Sequence, residues 1–449
     1  MRVKKIAFVY APAVLKSTLL RRKGWGTMPP LWALFLGSYL RKALPGLRID
    51  ILDQQILGGE EFAKRLKTGR YDFACFSPIF LTYADNLGYA RLLKRNGAFV
   101  VFGGNYATPL KREILLNRGP GSADHCVDAV VQYDGERALL ELVKGAAFSK
   151  INNLVYRAGS GQIVENPVAT PDASELPELD YSLVDLEEYF SRQSPYAGRI
   201  IPFITQRGCM RASKAGRCVF CSIKDRGYRT ISPDLLWKRI ARLTKRYGIR
   251  GLYDSSADFM GGKEWFRDFC AGASACREKP VMKVALRLDD VTERSAKSLR
   301  SINVRNAILG VESFDDGILR RLHKGCTCET NKRGILTLAK AGVVPEMYLL
   351  AGAPGESVKS LKTTFRELNS LDLPAQAWET AIIHTMNMIP GSAVWHQLLG
   401  VEKKYAGDDI FDFRRMFEDW VGHFCSAGFS EIQEMKAAIR KLIAVKARI

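Results

Sequence analysis

RIIPFITQRGCMRASKAGRCVFC, residues 199–221, is the stretch that decides the fold. Its first part is apolar and β-branched, a strand pattern that delivers Cys209 to the strand's carboxyl end. Cys218-Val219-Phe220-Cys221 then brings two more thiols within a few residues, a spacing suited to a metal or iron–sulfur centre. No histidine stands nearby, so a tetrahedral zinc knuckle, the plainer reading of clustered cysteines, lacks a convincing fourth ligand.

Downstream, Ser232-Pro233-Asp234 starts a helix over LLWKRIARL, with a capping side chain and a proline in the first turn. Strand-like runs recur at GLYDSS (251–256), VMKVALRLDD (281–290), NAILGVESF (306–314), PEMYLLAGAPGE (345–356) and WETAIIHTMNMIPG (378–391), separated by helical ones. Such a series predicts a partial barrel of strand–helix units with its active face at the carboxyl ends of the strands, where all three cysteines fall. FDFRRMFEDWVGHF (411–424) and EIQEMKAAIRKLIAVK (431–446) read as helices whose apolar faces can seal the open barrel.

Upstream, apolar runs at KIAFVY (5–10), RIDILD (48–53), YDFACFS (71–77), AFVVFGG (98–104) and VDAVVQYD (127–134) alternate with helical patterns. This alternation predicts a parallel sheet with helices on both faces. Ligands of such sheets sit beyond the carboxyl ends of the strands, at Tyr10-Ala11-Pro12, Asp53-Gln54-Gln55, Ser77-Pro78, Gly103-Gly104-Asn105 and Tyr133-Asp134-Gly135-Glu136. Gly103 and Gly104 let backbone approach a bulky ligand, although the same glycines also suit ordinary strand-to-helix turns. Residues 169–199 lose sustained periodicity and read as a linker.

The 449 residues are enough for two or three domains, and 47% apolar with 25% charged residues fits a chain with a large core. MRVKKIAFVYAPAV is too short and too soon broken by Pro12 for a signal peptide or span, and no other stretch reaches spanning length. Ten unevenly spaced cysteines do not suggest a secreted disulfide framework. The expected location is therefore cytoplasmic, without a membrane span. The formal charge of +20 can steer an anionic ligand or partner, but the basic residues are dispersed and no nucleic-acid module is recognisable. Nucleic acid is accordingly not the expected partner.

Taken together, these motifs resemble the cobalamin-binding-domain-containing (B12-dependent) radical S-adenosylmethionine (SAM) enzymes. GGNYAT resembles the family's diglycine strand end, VDAVVQYDGE its last strand and Gly-Glu turn, and LPELDY (176–181) its interdomain linker. AILGVES followed by DDGILRRLHKGCT resembles the Gly-x-Glu-Ser segment and the helix ending in Asn/His-Lys-Gly, LLAGAPGE the Gly-x-Pro-Gly-Glu loop, and NMIPGS the final strand and turn. The resemblance implies an α/β fold: an amino-terminal doubly wound cobalamin-binding domain (1–150), a strand-containing connector and linker (151–199), a partial (β/α)6 TIM-like radical SAM barrel (200–400) and a helical carboxyl-terminal region (401–449). The family's usual cysteine spacing is Cys-x3-Cys-x2-Cys, whereas here it is Cys-x8-Cys-x2-Cys, with the basic insert MRASKAGR expected to loop out flexibly.

What the resemblance implies for the site follows residue by residue. Cys209, Cys218 and Cys221 would hold a [4Fe-4S] cluster whose fourth iron is open to SAM. Phe220, Gly310, Glu312, Ser313, Gly352, Pro354 and Asn387 would border SAM, with helix capping as the plainer role for Glu312. Glu356 would face the ligand or cap the next helix; Tyr348 and Met386 would face substrate or, for Met386, pack the core. Pro12, Ser77, Thr82, Gly103, Gly104, Gln132, Gly135 and Glu136 would line the cobalamin site. The methionine-synthase type supplies a cobalt-ligating histidine from an Asp-x-His motif; the corresponding segment is read as Asp53-Gln54-Gln55, without histidine. Cys270, Cys276, Cys326, Cys328 and Cys425 read as buried or incidental.

The expected function is methyl transfer through methylcobalamin to an unactivated carbon made reactive by a 5'-deoxyadenosyl radical. The substrate would be a small molecule or peptide, possibly anionic, and the electron donor of flavodoxin or ferredoxin type. Two alternatives stay open: a cobalamin-dependent cyclase, ring-contraction or rearrangement enzyme without net methyl transfer, and a non-catalytic corrinoid or iron–sulfur binding protein. A tRNA methylthiotransferase is disfavoured because its first domain supplies three cluster cysteines, whereas this one has only Cys75 and Cys126.

Overall fold

The computed structural model describes residues 3–11, 26–116, 125–193, 198–214, 216–222, 226–276, 279–406 and 412–448. The five apolar runs of the first third become parallel strands β1 (Lys5–Tyr10), β2 (Arg48–Asp53), β3 (Phe73–Phe76), β4 (Phe99–Gly103) and β5 (Ala129–Val131). Their order is 2-1-3-4-5, the doubly wound arrangement whose strand direction of growth switches between β1 and β3. Alternation along β1 explains the two layers. Ile6 and Phe8 pack with Ala33 and Leu40 of the helix Leu31–Ala43 and with Leu139 of the helix Glu136–Lys144. Ala7 and Val9 face Phe62, Leu66, Leu87 and Leu93 of the helices Gln54–Thr68 and Tyr83–Arg95. The sheet does not stop at residue 150: β6 (Leu154–Arg157) and β7 (Ile163–Glu165) continue it antiparallel to Glu165.

The linker is bonded to both halves. Tyr189 Oη donates to Asp53 Oδ2 at 2.8 Å, Arg41 pairs with Asp180 at 3.0 Å, and the buried Tyr181 Oη donates to the carbonyl of Pro202 at 2.5 Å.

The second half forms six parallel strands in sequential order: β8 (Ile200–Phe203), β11 (Gly251–Asp254), β12 (Val281–Leu286), β13 (Val304–Glu312), β14 (Val344–Ala351) and β15 (Ile382–Thr385). Between β8 and β11 a short antiparallel ribbon, β9 (Gln206–Arg207) with β10 (Arg229–Thr230), brackets the cysteine segment at its base. Residues facing the outer helices, such as Val284, Ala307, Leu309, Val311 and Met347, are fully buried. The alternate residues facing the lumen are polar at its floor, where Lys283 Nζ and Asn306 Nδ2 meet the carboxylate of Glu346 at 2.6 and 2.8 Å.

Two local expectations differ. Pro233 opens the helix Pro233–Tyr247 as expected, but Ser232 makes no side-chain capping bond. The run read as a strand from Trp378 begins as a helix, Ala375–Thr380, because Pro374 fixes an extended N-cap and the chain turns into β15 only at Ile382. The helices Phe413–Phe424 and Phe429–Lys446 close the β14–β15 edge, with Trp420 Nε1 donating to the carbonyl of Gly352 at 2.9 Å. Among the described residues, no helix is long and apolar enough to cross a membrane.

Candidate active site

The carboxyl ends of the two sheets face each other. A cavity of about 260 Å³ lies between them, lined from the first domain by Ser77, Gly103, Gly104, Gly135 and Glu136 and from the barrel by Ile204, Arg207 and Ser255. Gly104 adopts φ +86°, and a Cβ there would run into Ser77 Oγ, so the turn after β4 needs glycine to leave this space open. The deeper wall is apolar: Trp32, Phe35, Leu36, Val101 and Leu139. The apolar lining and glycine rim fit one arm of a large planar ligand spread over the sheet edge.

Several of the expected corrinoid residues lie elsewhere. Thr82 is buried and closes its own turn, accepting from the Ile79 amide at 3.1 Å. Gln132 accepts from Lys111 Nζ at 2.8 Å and points away from the cavity lining. Pro12 lies outside the described residues. Asp53-Gln54-Gln55 follows the edge strand β2, and its carboxylate caps the next helix through the Gln55 amide at 2.8 Å; it does not line the cavity. Burial pushes the Asp53 carboxyl up to about 6. The strand β1 borders the switch point instead, and the sequence that follows it, 11–25, also contains no histidine.

Glu136 is held by a partner from the other domain. Arg207 binds Glu136 through both guanidinium nitrogens and Asp134 at 2.5 Å, and Arg229 binds Asp134 at 3.0 Å. All four groups are nearly sealed from water, with Asp134 only 4% and Glu136 7% exposed. Burial pushes the Glu136 carboxyl up, but the Arg207 guanidinium outweighs it and holds the group below the usual carboxylate range. Arg207 stands two residues before Cys209, so this ion-pair cluster ties the cavity rim to the cysteine segment.

None of the ten cysteines is joined in a disulfide. Cys209 Sγ lies 3.6 Å from Asp258 Oδ2, and burial raises its thiol. Cys218 and Cys221 form one tight turn, joined by the Cys221 amide to the Cys218 carbonyl at 3.0 Å, and both line a second cavity of about 630 Å³. Among the described residues no three His, Cys, Asp or Glu side chains converge as one ligand group, so Cys209, Cys218 and Cys221 share a segment without meeting at a single point. Three cysteines with no histidine and no fourth cysteine in the segment 199–221 form a donor set that fits a cluster with an open iron. The insert after Cys209 begins as a helical turn, Met210–Lys214, and Arg211 fastens it by donating to the His323 carbonyl at 2.8 Å.

On the lumen side of this loop, Lys324 Nζ lies 6.0 Å over the Phe220 ring and 2.9 Å from Glu312 Oε1. Glu312 is buried and held at φ +62°, a costly conformation for a non-glycine residue that aims the carboxylate back toward the barrel mouth. Gly310 leaves the room for this pair: a Cβ there would sit 2.5 Å from both Glu312 Oε1 and Lys324 Nζ. Burial lowers the Lys324 ammonium, but Glu312 and then Cys218 outweigh it and raise it. Glu312 therefore faces a fixed cation at the strand ends and does more than cap a helix.

Ser313 turns outward, bonding Thr364 Oγ1 at 3.1 Å and accepting from the Asp315 amide at 3.1 Å. Gly352 lies beneath Trp420 and Phe417, whereas Pro354 reaches the wall beside Cys218 and Cys221. Ser357, not Glu356, caps the helix Val358–Asn369 by accepting from the Ser360 amide at 3.1 Å; Glu356 accepts from Ser360 Oγ at 2.5 Å, and burial raises its carboxyl to about 7. Asn387 is half-buried after β15, Met386 is core, and Tyr348 stands in the lumen 5.7 Å from the His384 ring.

Residues 203–368 match the radical SAM superfamily. This region is a radical SAM domain. The superfamily uses a [4Fe-4S] cluster and SAM. An uncharacterized methyltransferase of Pyrococcus horikoshii is 24% identical over 406 residues, covering 88% of this chain and 83% of that protein. The anaerobic magnesium-protoporphyrin IX monomethyl ester cyclase of Rubrivivax gelatinosus is 23% identical over 361 residues, covering 76% of this chain and 62% of that protein. Among solved structures, the cobalamin-dependent SAM radical enzyme OxsB, with aqua-cobalamin and SAM bound, superposes with a TM-score of 0.66 at 18% identity. The superposition covers 100% of this chain and 62% of OxsB, and the likeness is one of fold.

Proposed function

We propose that the protein is a cobalamin-dependent radical SAM methyltransferase acting on an unactivated carbon of a small molecule or peptide in the cytoplasm. The observation that carries this reading is the cavity at Ser77, Gly103 and Gly104, which opens onto the cysteine-bearing end of the barrel across the Arg207 joint. When bound, the cluster and SAM supply a 5'-deoxyadenosyl radical that removes a hydrogen, and cobalamin supplies the methyl group, renewed from a second SAM.

The chain's own contribution is to hold and to exclude. Cys209, Cys218 and Cys221 are the thiols for the cluster; Glu312, fixed by Lys324, and Phe220 border SAM. Ser77, Gly103, Gly104 and Gly135 shape the corrinoid cradle over the apolar wall of Trp32 and Phe35. Neither Asp53-Gln54-Gln55 nor residues 11–25 contain a histidine that would ligate a bound cobalamin. The facing sheet ends and the bonded linker border the space between, where a radical would need shelter from water. The electron comes from a donor of flavodoxin or ferredoxin type.

The similarity to the Rubrivivax gelatinosus cyclase favours one second reading, cyclisation or rearrangement without net methyl transfer. Anaerobic reconstitution with iron, sulfide and cobalamin separates them, with 5'-deoxyadenosine, S-adenosylhomocysteine and methylcobalamin followed beside a Cys218→Ala control. Both SAM products, lost in the control, are expected. 5'-Deoxyadenosine alone would favour the second reading, and an intact cluster that neither cleaves SAM nor accompanies bound corrinoid would overturn the proposal.

A further inference from the structure

The barrel carries a cluster of cations without a counter-charge at the carboxyl end of its last strand. Among the described residues β15 pairs only with β14, so one side of the barrel mouth ends at Ile382–Thr385. The helix Phe429–Lys446 packs against it with Ile432, Ile439 and Ile443 inward, and Lys436 is the one cation in that buried stripe. A leucine there would complete the stripe, whereas an ammonium at 6% exposure costs stability unless an anion joins it. No carboxylate does so among the described residues. Lys436 Nζ donates to Thr385 Oγ1, and the charge that acts on it is Arg440, a second cation one helical turn on, where like charges repel. Thr385 is the last residue of β15, so this ammonium stands at the face where a strand–helix barrel keeps its chemistry.

His384 joins the two cations to the lumen. It is exposed beside Thr385, and its ring meets that of Tyr348 at 5.7 Å. Partial burial lowers its imidazole and Lys436 lowers it further, while Glu312 opposes them and Arg440 adds to the fall. The ring therefore stands in two fields, that of the cations at the edge and that of the carboxylate paired with Lys324. We propose that Lys436, Arg440 and His384 anchor an oxyanion group of the substrate, a carboxylate or a phosphate, at the open edge of the barrel. The proposal rests on the radical SAM reading and names its substrate class: an anionic molecule with its charged end at β15 and its reacting carbon toward Glu312. The oxyanion accepts from the Lys436 ammonium, the Arg440 guanidinium and the His384 ring N–H, and it supplies the missing counter-charge. An apolar substrate leaves the ammonium unpaired, so the same three groups select against it.

The test uses the full chain with its cluster reconstituted and oxidised, and with its histidines isotope-labelled at Cε1. Inorganic phosphate and acetate are titrated separately in place of chloride at constant ionic strength, and the five histidine signals are followed by NMR, with and without SAM. His384→Gln assigns the reporting signal. That signal is expected to move and saturate, and the anion with the lower Kd identifies the group the site takes. Lys436→Met should raise this Kd about tenfold and the change at the exposed Arg440, Arg440→Gln, about threefold. Lys297→Gln, at an exposed position on the helix Glu293–Ser301, should leave it unchanged. No saturable shift of His384 with either anion, or one Kd shared by the native protein and both edge variants, would overturn the proposal. So would competition between SAM and the anion, which would place the charge in the SAM site. A reconstituted enzyme that forms no 5'-deoxyadenosine would instead count against the radical SAM reading and would leave this titration intact.

Discussion

Replacing Arg207 by methionine tests whether the two domains are joined by the ion-pair cluster described above. Arg207 is 13% exposed and is the principal cation of Glu136, whereas Asp134 keeps Arg229 at 3.0 Å after the change. The variant strands one carboxylate at 7% exposure, which costs about 3–5 kcal/mol when a buried partner is removed. For a unit the size of the amino-terminal domain, about 2–4 °C per kcal/mol gives a fall of about 6–20 °C in its unfolding midpoint. Thermal unfolding of the apo protein, followed by the fluorescence of Trp32 in the cavity wall, measures it. The sign with pH follows from the depressed Glu136 carboxyl. Its contribution in the native protein is complete above the unfolded value, near pH 4.5, and is lost as pH falls through the lower folded value. The gap between native and Arg207→Met proteins should therefore narrow as the solution is acidified. Adding Glu136→Leu removes the stranded charge and should recover most of the loss. A fall below about 2 °C, or a double variant no better than the single one, would refute the idea that this cluster holds the domains together.

Three further outcomes follow from named contacts. Gly104→Ala should weaken retention of hydroxocobalamin about tenfold in equilibrium dialysis, since the left-handed conformation costs a side-chain-bearing residue about 1–2 kcal/mol and the new Cβ meets Ser77 Oγ; adding Ser77→Ala should restore part of it. Gly310→Ala should separate Glu312 from Lys324 and raise the calorimetric Kd for SAM about tenfold, leaving corrinoid binding unchanged. Burial, then Arg440, lowers the Lys436 ammonium to about 8, so the folded chain binds this proton more weakly than the unfolded one. Native stability should rise from about pH 8 to about pH 10.5 relative to Lys436→Met, and parallel unfolding midpoints across that range would contradict the assignment.

Much of the fold was legible because parallel strands buried on both faces leave long apolar runs, and those runs reappear as β1–β5 and as the strands of the barrel. The turn that depends on glycine, at Gly104, was legible because few residues permit its left-handed backbone, whereas Gly103 and Gly135 adopt conformations open to any residue. Other parts were hidden by chemistry that looks alike in sequence. Trp32, Phe35 and Leu36 line the cavity, yet their helical spacing is that of any core-facing helix. Thr82 and Gln132 sit in the expected strand ends, but one closes its own turn and the other reaches Lys111, and side-chain direction of this kind is not written in spacing. Asp53 resembles the start of a cobalt-ligand loop only until the strand order is known; an edge strand places it away from the switch point. Arg207, among 67 lysines and arginines, carries no mark of its role, because its partners lie more than 70 residues away.

The long spacing between the first two cysteines has a simple structural consequence. Extra chain in a ligand loop disturbs a cluster only if it changes where the sulfurs can go. Here both ends of the loop are fixed independently of its length. Cys209 follows β9, which is paired to β10 on the far side of the segment, and Cys218–Cys221 is clasped through Val219 to Leu322 and Val394. The added residues begin as a helical turn, Met210–Lys214, which Arg211 fastens to the His323 carbonyl on the barrel, so this part is not the free loop its composition suggests. The same Arg207 that precedes Cys209 closes on Asp134 and Glu136 of the other domain. The position of the first cysteine is thus set by the domain interface and that of the other two by the barrel, and the insert between them is free to diverge in length and charge without moving either.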